Sequence, residues 1–301
     1  MTVLKSRLNI WDSQLTGASV PYPRQEATAI IAVVLGCAPE LIDEQLHIIL
    51  TDSQIAAIDH MIADRVRRIP LPRITGHSEM CGLNLRVADG VYRPYPESEV
   101  FVDLTVMALS NSSAPLRVLD LGTGSGCLLL GLINELPNAS GVGVDNDDAA
   151  LALARENAAA NHLSSRTEFR HGNWGDGLTE QFDLVVSNPP RVATLDISRL
   201  VPEMRDHDPV HSLDGGHDGL DCFRAVIRAF TFTAKPDAIG AFQVGPKYAD
   251  AVAKLLKNEG FETIEVRVSL QGQPVAVMVR NRKRLLSLNR FMPALLRTKF
   301  R

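Results

Sequence analysis

The segment Ser187-Asn188-Pro189-Pro190-Arg191 follows the apolar run Phe182-Asp183-Leu184-Val185-Val186, so a strand ends on an amide, two imino acids and a cation. An amide nitrogen is a poor nucleophile because its lone pair is delocalised into the carbonyl. Two neighbouring acceptors, the side-chain oxygen of Asn188 and the backbone carbonyl of Pro189, can each take one N–H of a substrate amide or amine. Their contribution is placement and electrostatics. Pro189 and Pro190 stiffen the bend and supply no N–H to compete for its carbonyls. A plain Asn-Pro turn has the same spelling, and the upstream sequence favours chemistry.

That upstream sequence is Arg117-Val118-Leu119-Asp120-Leu121 running into Gly122-Thr123-Gly124-Ser125-Gly126 and then a helix. Glycines let a ligand approach the backbone, and amides at a helix start can face it. Cys127 stands where a dinucleotide fingerprint has its third glycine, which turns the reading from a nicotinamide cofactor to S-adenosyl-L-methionine. Asp145 ends the next strand 23 residues beyond Gly122, where a carboxylate can accept both hydroxyls of a ribose. Asp120, Thr123, Gly126 and Asn146 complete this set. Asn173 is placed to reach an adenine edge and Trp174 to shield it, although a polar turn with a half-buried indole reads equally well. Carboxyl ends of parallel strands form one crevice, so Asn188 is expected beside the cofactor's sulfonium.

These residues need a scaffold of parallel strands. From 117 onward short apolar strands alternate with helical stretches, ending in Glu262–Leu270 and Pro274–Arg280, which read as an antiparallel pair at the sheet edge. The fold class is α/β: a doubly wound, mostly parallel, seven-stranded sheet with a small N-terminal helical domain. Residues 24 to about 68 read as helices, with Ile55, Ile58, Ile62 and Val66 on one face and Asp52 as N-cap. Four segments follow: a helical domain over 1–70, to which the family resemblance given below assigns a substrate or lid role, a β-hairpin connector over 71–100, the cofactor domain over 101–280, and a basic tail over 281–301. The prolines Pro72, Pro94 and Pro96 forbid a long helix in the connector. The tail carries seven basic and no acidic side chains, and reads as an exposed appendage more readily than as a site for an acidic partner or membrane surface.

With 31 basic against 35 acidic side chains and a net charge of −4, a general nucleic-acid surface is not expected, and no direct nucleic-acid partner is assigned. Cys37, Cys81, Cys127 and Cys222 are widely spaced and suggest neither disulfides nor zinc. No apolar run has the length of a membrane span, so a cytoplasmic protein is expected. His207 and His211 flank Asp208, but Pro209 interrupts any helix that would present them to a metal, so no metal site is assigned and a solvated loop is expected. Asp214–Asp221 reads as a loop capping the helix after it.

From roughly residue 24 to 280 the chain resembles the release-factor glutamine N5-methyltransferases, with ribosomal-protein glutamine methyltransferases as near relatives. The residues that carry this are LPRITGHSEMCGLNLRVADGVYRPYPESE, LDLGTGSGCLLL, VDNDDAALALARENA, FDLVVSNPP and DPVHSLDGGHDGLDCFRAVI. The resemblance implies a class I methyltransferase domain, S-adenosylmethionine as methyl donor and a peptide chain release factor as partner. It maps Gly122, Gly124, Asp145 and Asn173 to cofactor contacts and Asn188 with Pro189 to the substrate amide.

Three positions depart from that family. Arg191 replaces an aromatic residue, usually tyrosine, and a guanidinium about 5 Å from a sulfonium would be repelled by roughly 3 kcal/mol at an effective dielectric of 20, so it must turn outward or meet an anion. Tyr95 stands where relatives carry arginine, which suggests that Tyr95 and Arg191 line one pocket and have exchanged roles. Gln243 stands where relatives carry glutamate. A lost carboxylate and a gained cation suggest a small amino-acid-like substrate instead, or attack by the cofactor's own amine. A non-catalytic cofactor-binding module is the alternative from another class, and the intact Asn-Pro-Pro argues against it.

Overall fold

The structure, a computed structural model, describes residues 2–109, 114–262 and 264–281. All of the expected basic tail except Asn281 lies outside the described residues.

The N-terminal unit is three helices around their own core. Strand β1 (Thr2–Val3) leads into α1 (Leu4–Gly17) and α2 (Pro23–Leu35), and β2 (Ile49–Leu50) pairs antiparallel with β1 before α3 (Asp52–Val66) begins. Leu4, Leu8, Trp11 and Leu15 of α1 pack on Ile30 and Ile31 of α2 and on Ile58 and Ile62 of α3. Two local expectations are corrected. The N-cap of α3 is Thr51, which forms a capping box with Gln54, and Asp52 is the first helical residue. The buried stripe of α3 ends on Arg65, while Val66 faces solvent. A cation at the end of an apolar stripe needs anions. Arg65 is ion-paired with Glu26 of α2 and, at 3.0 Å, with Glu203, which Arg68 also holds through two 2.7 Å hydrogen bonds.

After α4 (Leu71–Thr75), strands β3 (His77–Met80) and β4 (Leu83–Arg86) form the expected hairpin. Pro96 then opens α5 (Pro96–Leu109), so the expected domain edge at residue 100 falls inside a helix: proline is at home in a first helical turn.

The main domain follows in the order β5 (Arg117–Leu121), α6 (Cys127–Glu135), β6 (Ser140–Asp145), α7 (Asp148–Ala160), β7 (Thr167–His171), β8 (Phe182–Ser187), α8 (Pro202–Arg205), α9 (Val210–Leu213), α10 (Asp221–Thr233), β9 (Ala234–Gln243), α11 (Ala249–Asn258), β10 (Ile264–Val268) and β11 (Pro274–Arg280). The seven strands are ordered β10-β11-β9-β8-β5-β6-β7. The pairs among β5 to β9 are parallel, and β11 is antiparallel to both its neighbours. Alternate residues of buried strands feed two apolar layers. Val118, Leu184 and Val186 meet Phe101, Leu129 and Ile133, whereas Leu119 and Val185 meet Phe223, Phe230 and Val252. The chain leaves β5 towards β6 and returns to β8 on its other side, so a crevice opens at the carboxyl ends of β5 and β8.

Candidate active site

The crevice holds a cavity of about 700 Å³ whose lining includes Gly122, Thr123 and Gly124 from the loop after β5 and Asn188 and Pro190 from the corner after β8. Ser187 ties the two strand ends together by donating its hydroxyl to Leu121 O at 2.6 Å.

The loop offers close approach more than donation. Gly122 N and Thr123 N donate to Val144 O at 2.8 and 3.0 Å, Gly126 N to Thr123 O at 2.9 Å, and Gly124 N to Asp145 Oδ2 at 2.8 Å. Those four amides are therefore used within the protein, which corrects the expectation that the loop points them at a ligand. At Gly124 a Cβ would meet nothing within 4 Å, so the backbone itself borders open space, while one on Gly122 would come within 3.2 Å of the Trp174 ring. Gly126 and Asp120 do not line the cavity. Gly126 packs against Ala154 and Leu130, and Asp120 is fully buried behind the loop, accepting from Thr123 Oγ1 at 2.7 Å. Burial pushes the Asp120 carboxyl up to about 7, against the Thr123 hydrogen bond.

Asp145, Asn146, Asn173 and Trp174 all line the cavity, beside the apolar side chains of Val91, Leu128 and Ala150. Burial raises the Asp145 carboxyl, opposed by amides that fix its orientation: Gly124 N on Oδ2 and, at 3.0 Å, Asp147 N on Oδ1. A carboxylate, two amides and an indole around apolar walls fit a nucleoside with an apolar chain, as S-adenosylmethionine requires. His211, exposed as expected, also lines this wall, 3.6 Å from Asp147.

At the corner after β8, Arg191 donates through Nη1 to Asn188 Oδ1. It shares a small side pocket with Asn188, Pro189 and Tyr92. Tyr92, which residue types alone did not single out, lines both spaces, and burial pushes its hydroxyl up to about 12 against the opposing effect of Arg191. Tyr95 lines neither. It stacks on Tyr92 with ring centroids 5.3 Å apart, lies under the Arg93 guanidinium at 4.0 Å, and donates to Asp208. The expected exchange of Tyr95 with Arg191 is thus corrected: the aromatic beside Arg191 is Tyr92. Gln243 is corrected too, because it is buried at the end of β9 and accepts from Ser98 Oγ at 3.3 Å, away from the cavity.

Asp208 overturns the solvated-loop reading. Its side chain is wholly screened from solvent, with Oδ1 3.4 Å from Arg93 Nε and 3.7 Å from Arg73 Nη2. Arg73 also donates to Ala88 O at 2.9 Å and Val91 O at 3.1 Å, which holds the backbone leading to Tyr92. The Asp214–Asp221 loop likewise does more than cap α10. Gly215 N donates to Val192 O at 2.8 Å, and a Cβ on Gly215 or Gly219 would lie 2.8 Å from Arg191 Cα or 2.6 Å from Arg191 O. Its glycines let it lie flat on the Asn-Pro-Pro-Arg corner.

Known proteins resemble this chain in fold and in sequence. A PrmC N-terminal domain model matches residues 8–76 and a methyltransferase small domain model matches 100–207. Among solved structures, the hMettl16 catalytic domain in complex with MAT2A 3′UTR hairpin 6 superposes with a TM-score of 0.55 at 16% identity, over 73% of this chain and 81% of that one. The T. Thermophilus 16S rRNA N2 G1207 methyltransferase in complex with AdoMet and guanosine gives 0.50 at 21% identity, over 68% and 50%. At those identities the likeness is one of fold. The sequence relatives reach further. The release factor glutamine methyltransferase of Rhodospirillum rubrum is 35% identical over 89% of this chain and 82% of its own length, and that of Deinococcus radiodurans is 35% identical over 92% and 98%. That of Caulobacter vibrioides is 38% identical over 82% and 86%. Matched along most of its length by relatives at this level, the chain belongs to the release factor glutamine methyltransferase family.

Proposed function

We propose that the protein methylates the side-chain amide nitrogen of a glutamine in a peptide chain release factor, with S-adenosylmethionine as methyl donor. The observation that carries this reading is that the glycine loop with Asp145 and the Asn188 corner face one cavity. When bound, S-adenosylmethionine supplies an electrophilic methyl group on a sulfonium. Asp145, Asn146, Asn173 and Trp174 are the residues that would hold its nucleoside, with Gly122, Thr123 and Gly124 flanking it. Asn188 Oδ1 and the Pro189 carbonyl orient the acceptor's N–H groups, and the amide nitrogen exchanges one of its two protons for the methyl group. Tyr92 gives the flat amide an aromatic wall.

The release factor would reach the cavity past the N-terminal helices, which Arg65 and Arg68 fasten to Glu203 in the segment after the Asn188 corner. No described helix is long and apolar enough to cross a membrane. We place the reaction in the cytoplasm, where a translation factor is made and used.

A second reading, a small amino-acid-like acceptor, is favoured by the Arg191 cation in the side pocket beside Asn188. Incubation with labelled S-adenosylmethionine and purified release factor, followed by mass spectrometry of the peptides, tests both. One added methyl on a glutamine, and a loss of about 10²- to 10³-fold in turnover for Asn188→Ala with a much smaller change in S-adenosylhomocysteine affinity, is the expected result. Label found only in small molecules of a cell extract would replace it with the second reading. Cofactor binding without any turnover would leave a binding module.

A further inference from the structure

Arg191 sits half-buried in the side pocket, which shares Tyr92, Asn188, Pro190 and Ser212 with the cavity, and its hydrogen-bonded partner is a neutral amide oxygen, Asn188 Oδ1. No described carboxylate lies within ion-pairing distance of it. Carboxylates around the two spaces are already engaged. Asp208 is enclosed by Arg73, Arg93 and Tyr95, Asp145 is held by two backbone amides, and Asp214 accepts from Thr194 Oγ1 and Gly216 N. A guanidinium presents five donors and cannot give up its charge, so one bond to an amide oxygen leaves it short of both acceptors and counter-charge. Partly desolvated cations of this kind are ordinarily matched by carboxylates, often through two parallel hydrogen bonds. The position matters as well as the charge. Arg191 touches the very oxygen that the reading above assigns to the acceptor's N–H, so whatever Arg191 binds must lie next to the accepting nitrogen.

We propose that Arg191 is a specificity-determining residue that receives a carboxylate carried by the methyl acceptor beside its carboxamide. This rests on the glutamine-amide reading of the same site and names the acceptor more narrowly. Binding of that carboxylate draws donors of Arg191 towards itself, which frees acceptor capacity on Asn188 Oδ1 for the substrate N–H, and it balances the cation before a sulfonium is brought near. The carboxylate can come from an acidic residue flanking the glutamine in a protein or from the α-carboxylate of a small amino acid. The chemistry is the same, and the acceptors used in the test tell the sources apart.

The test compares matched acceptors in the full-length protein: short peptides with glutamine flanked by aspartate or by alanine, and L-glutamine against L-glutaminamide. Methyl transfer is measured for wild type and Arg191→Met, together with equilibrium binding of each acceptor to protein saturated with S-adenosylhomocysteine. Wild type is expected to favour the carboxylate-bearing member of one pair by about 10- to 100-fold, the range of a charge-assisted hydrogen bond, and Arg191→Met to bring that ratio close to one. Equal binding of both members of both pairs by wild type overturns the inference; a methylated release factor in the same experiment would leave the glutamine-amide reading intact. Weaker S-adenosylhomocysteine binding in Arg191→Met, with no acceptor preference in wild type, overturns it differently, by assigning the carboxylate to the cofactor. If no acceptor is methylated but the binding preference is present and depends on Arg191, the methyl-transfer reading falls and the inference, as a statement about the methyl acceptor, falls with it.

Discussion

Tyr95 donates its hydroxyl to the carboxylate of Asp208, a side chain with no exposed surface, across 113 positions of sequence. This contact joins the segment before α5 to the segment after the Asn188 corner. Arg73 and Arg93 close around the same carboxylate, and Tyr92, stacked on Tyr95, forms the wall of the cavity. The cavity's aromatic wall is therefore held from behind by a buried anion.

Removing that anion should be costly. Asp208→Ala leaves Arg73 and Arg93 without their buried counter-charge, and a loss of about 3–5 kcal/mol is expected. Tyr95→Phe removes two hydrogen bonds to charged partners, the one donated to Asp208 and the one accepted from Arg93 Nη2 at 2.6 Å, and should cost about 1.5–3 kcal/mol or more. Urea unfolding of the two variants measures both. A change below about 1 kcal/mol for Asp208→Ala would mean that the cluster does not hold the two segments together.

Asp120 gives the stability an unusual pH dependence. Its carboxyl ionises near 3.8 in the unfolded chain and is pushed up to about 7 by burial in the folded one. Between those values the folded state binds more protons than the unfolded state, so this group's contribution to stability is complete below about pH 4 and is lost as pH rises to 7. Three pH units correspond to about 4 kcal/mol. Asp120→Asn, which still offers Thr123 an acceptor oxygen, should lose less stability than wild type between pH 5 and pH 8. Equal losses in the two proteins, read from urea midpoints, would show that Asp120 is not the responsible group.

Gly219 tests how the corner is supported. Its φ is +77°, and an added Cβ would lie 2.6 Å from Arg191 O and 2.6 Å from the Tyr248 hydroxyl. Gly219→Ala therefore meets left-handed strain of about 1–2 kcal/mol and a backbone contact that only movement can relieve. The expected result is a fall in methyl transfer of tenfold or more with S-adenosylhomocysteine affinity within about threefold of wild type, because the Asn188 corner is displaced and the glycine loop is not. Parallel losses in both would mean that the strain spreads through the domain.

Much of this molecule was legible in its residues. Strands such as Arg117–Leu121 and Phe182–Ser187 declare themselves because strands buried on both faces are unbroken apolar runs, and the Gly122 loop, Asp145 and Asn188 follow from where such strands end. The sequence by itself determined the parallel sheet, the strand-end residues that line the cavity and the family. It did not determine which of two tyrosines in Val91-Tyr92-Arg93-Pro94-Tyr95 faces the cavity, since a proline-rich segment has no periodicity to assign its faces. Nor did it show that Asp208 is buried while His211, three positions on, lines the cavity, that Gln243 points into the core, or that the Asp214–Asp221 glycines flatten a loop onto Arg191. Those outcomes depend on partners 18 to 145 positions away or on the close approach of two backbones, and only tertiary packing brings such groups together.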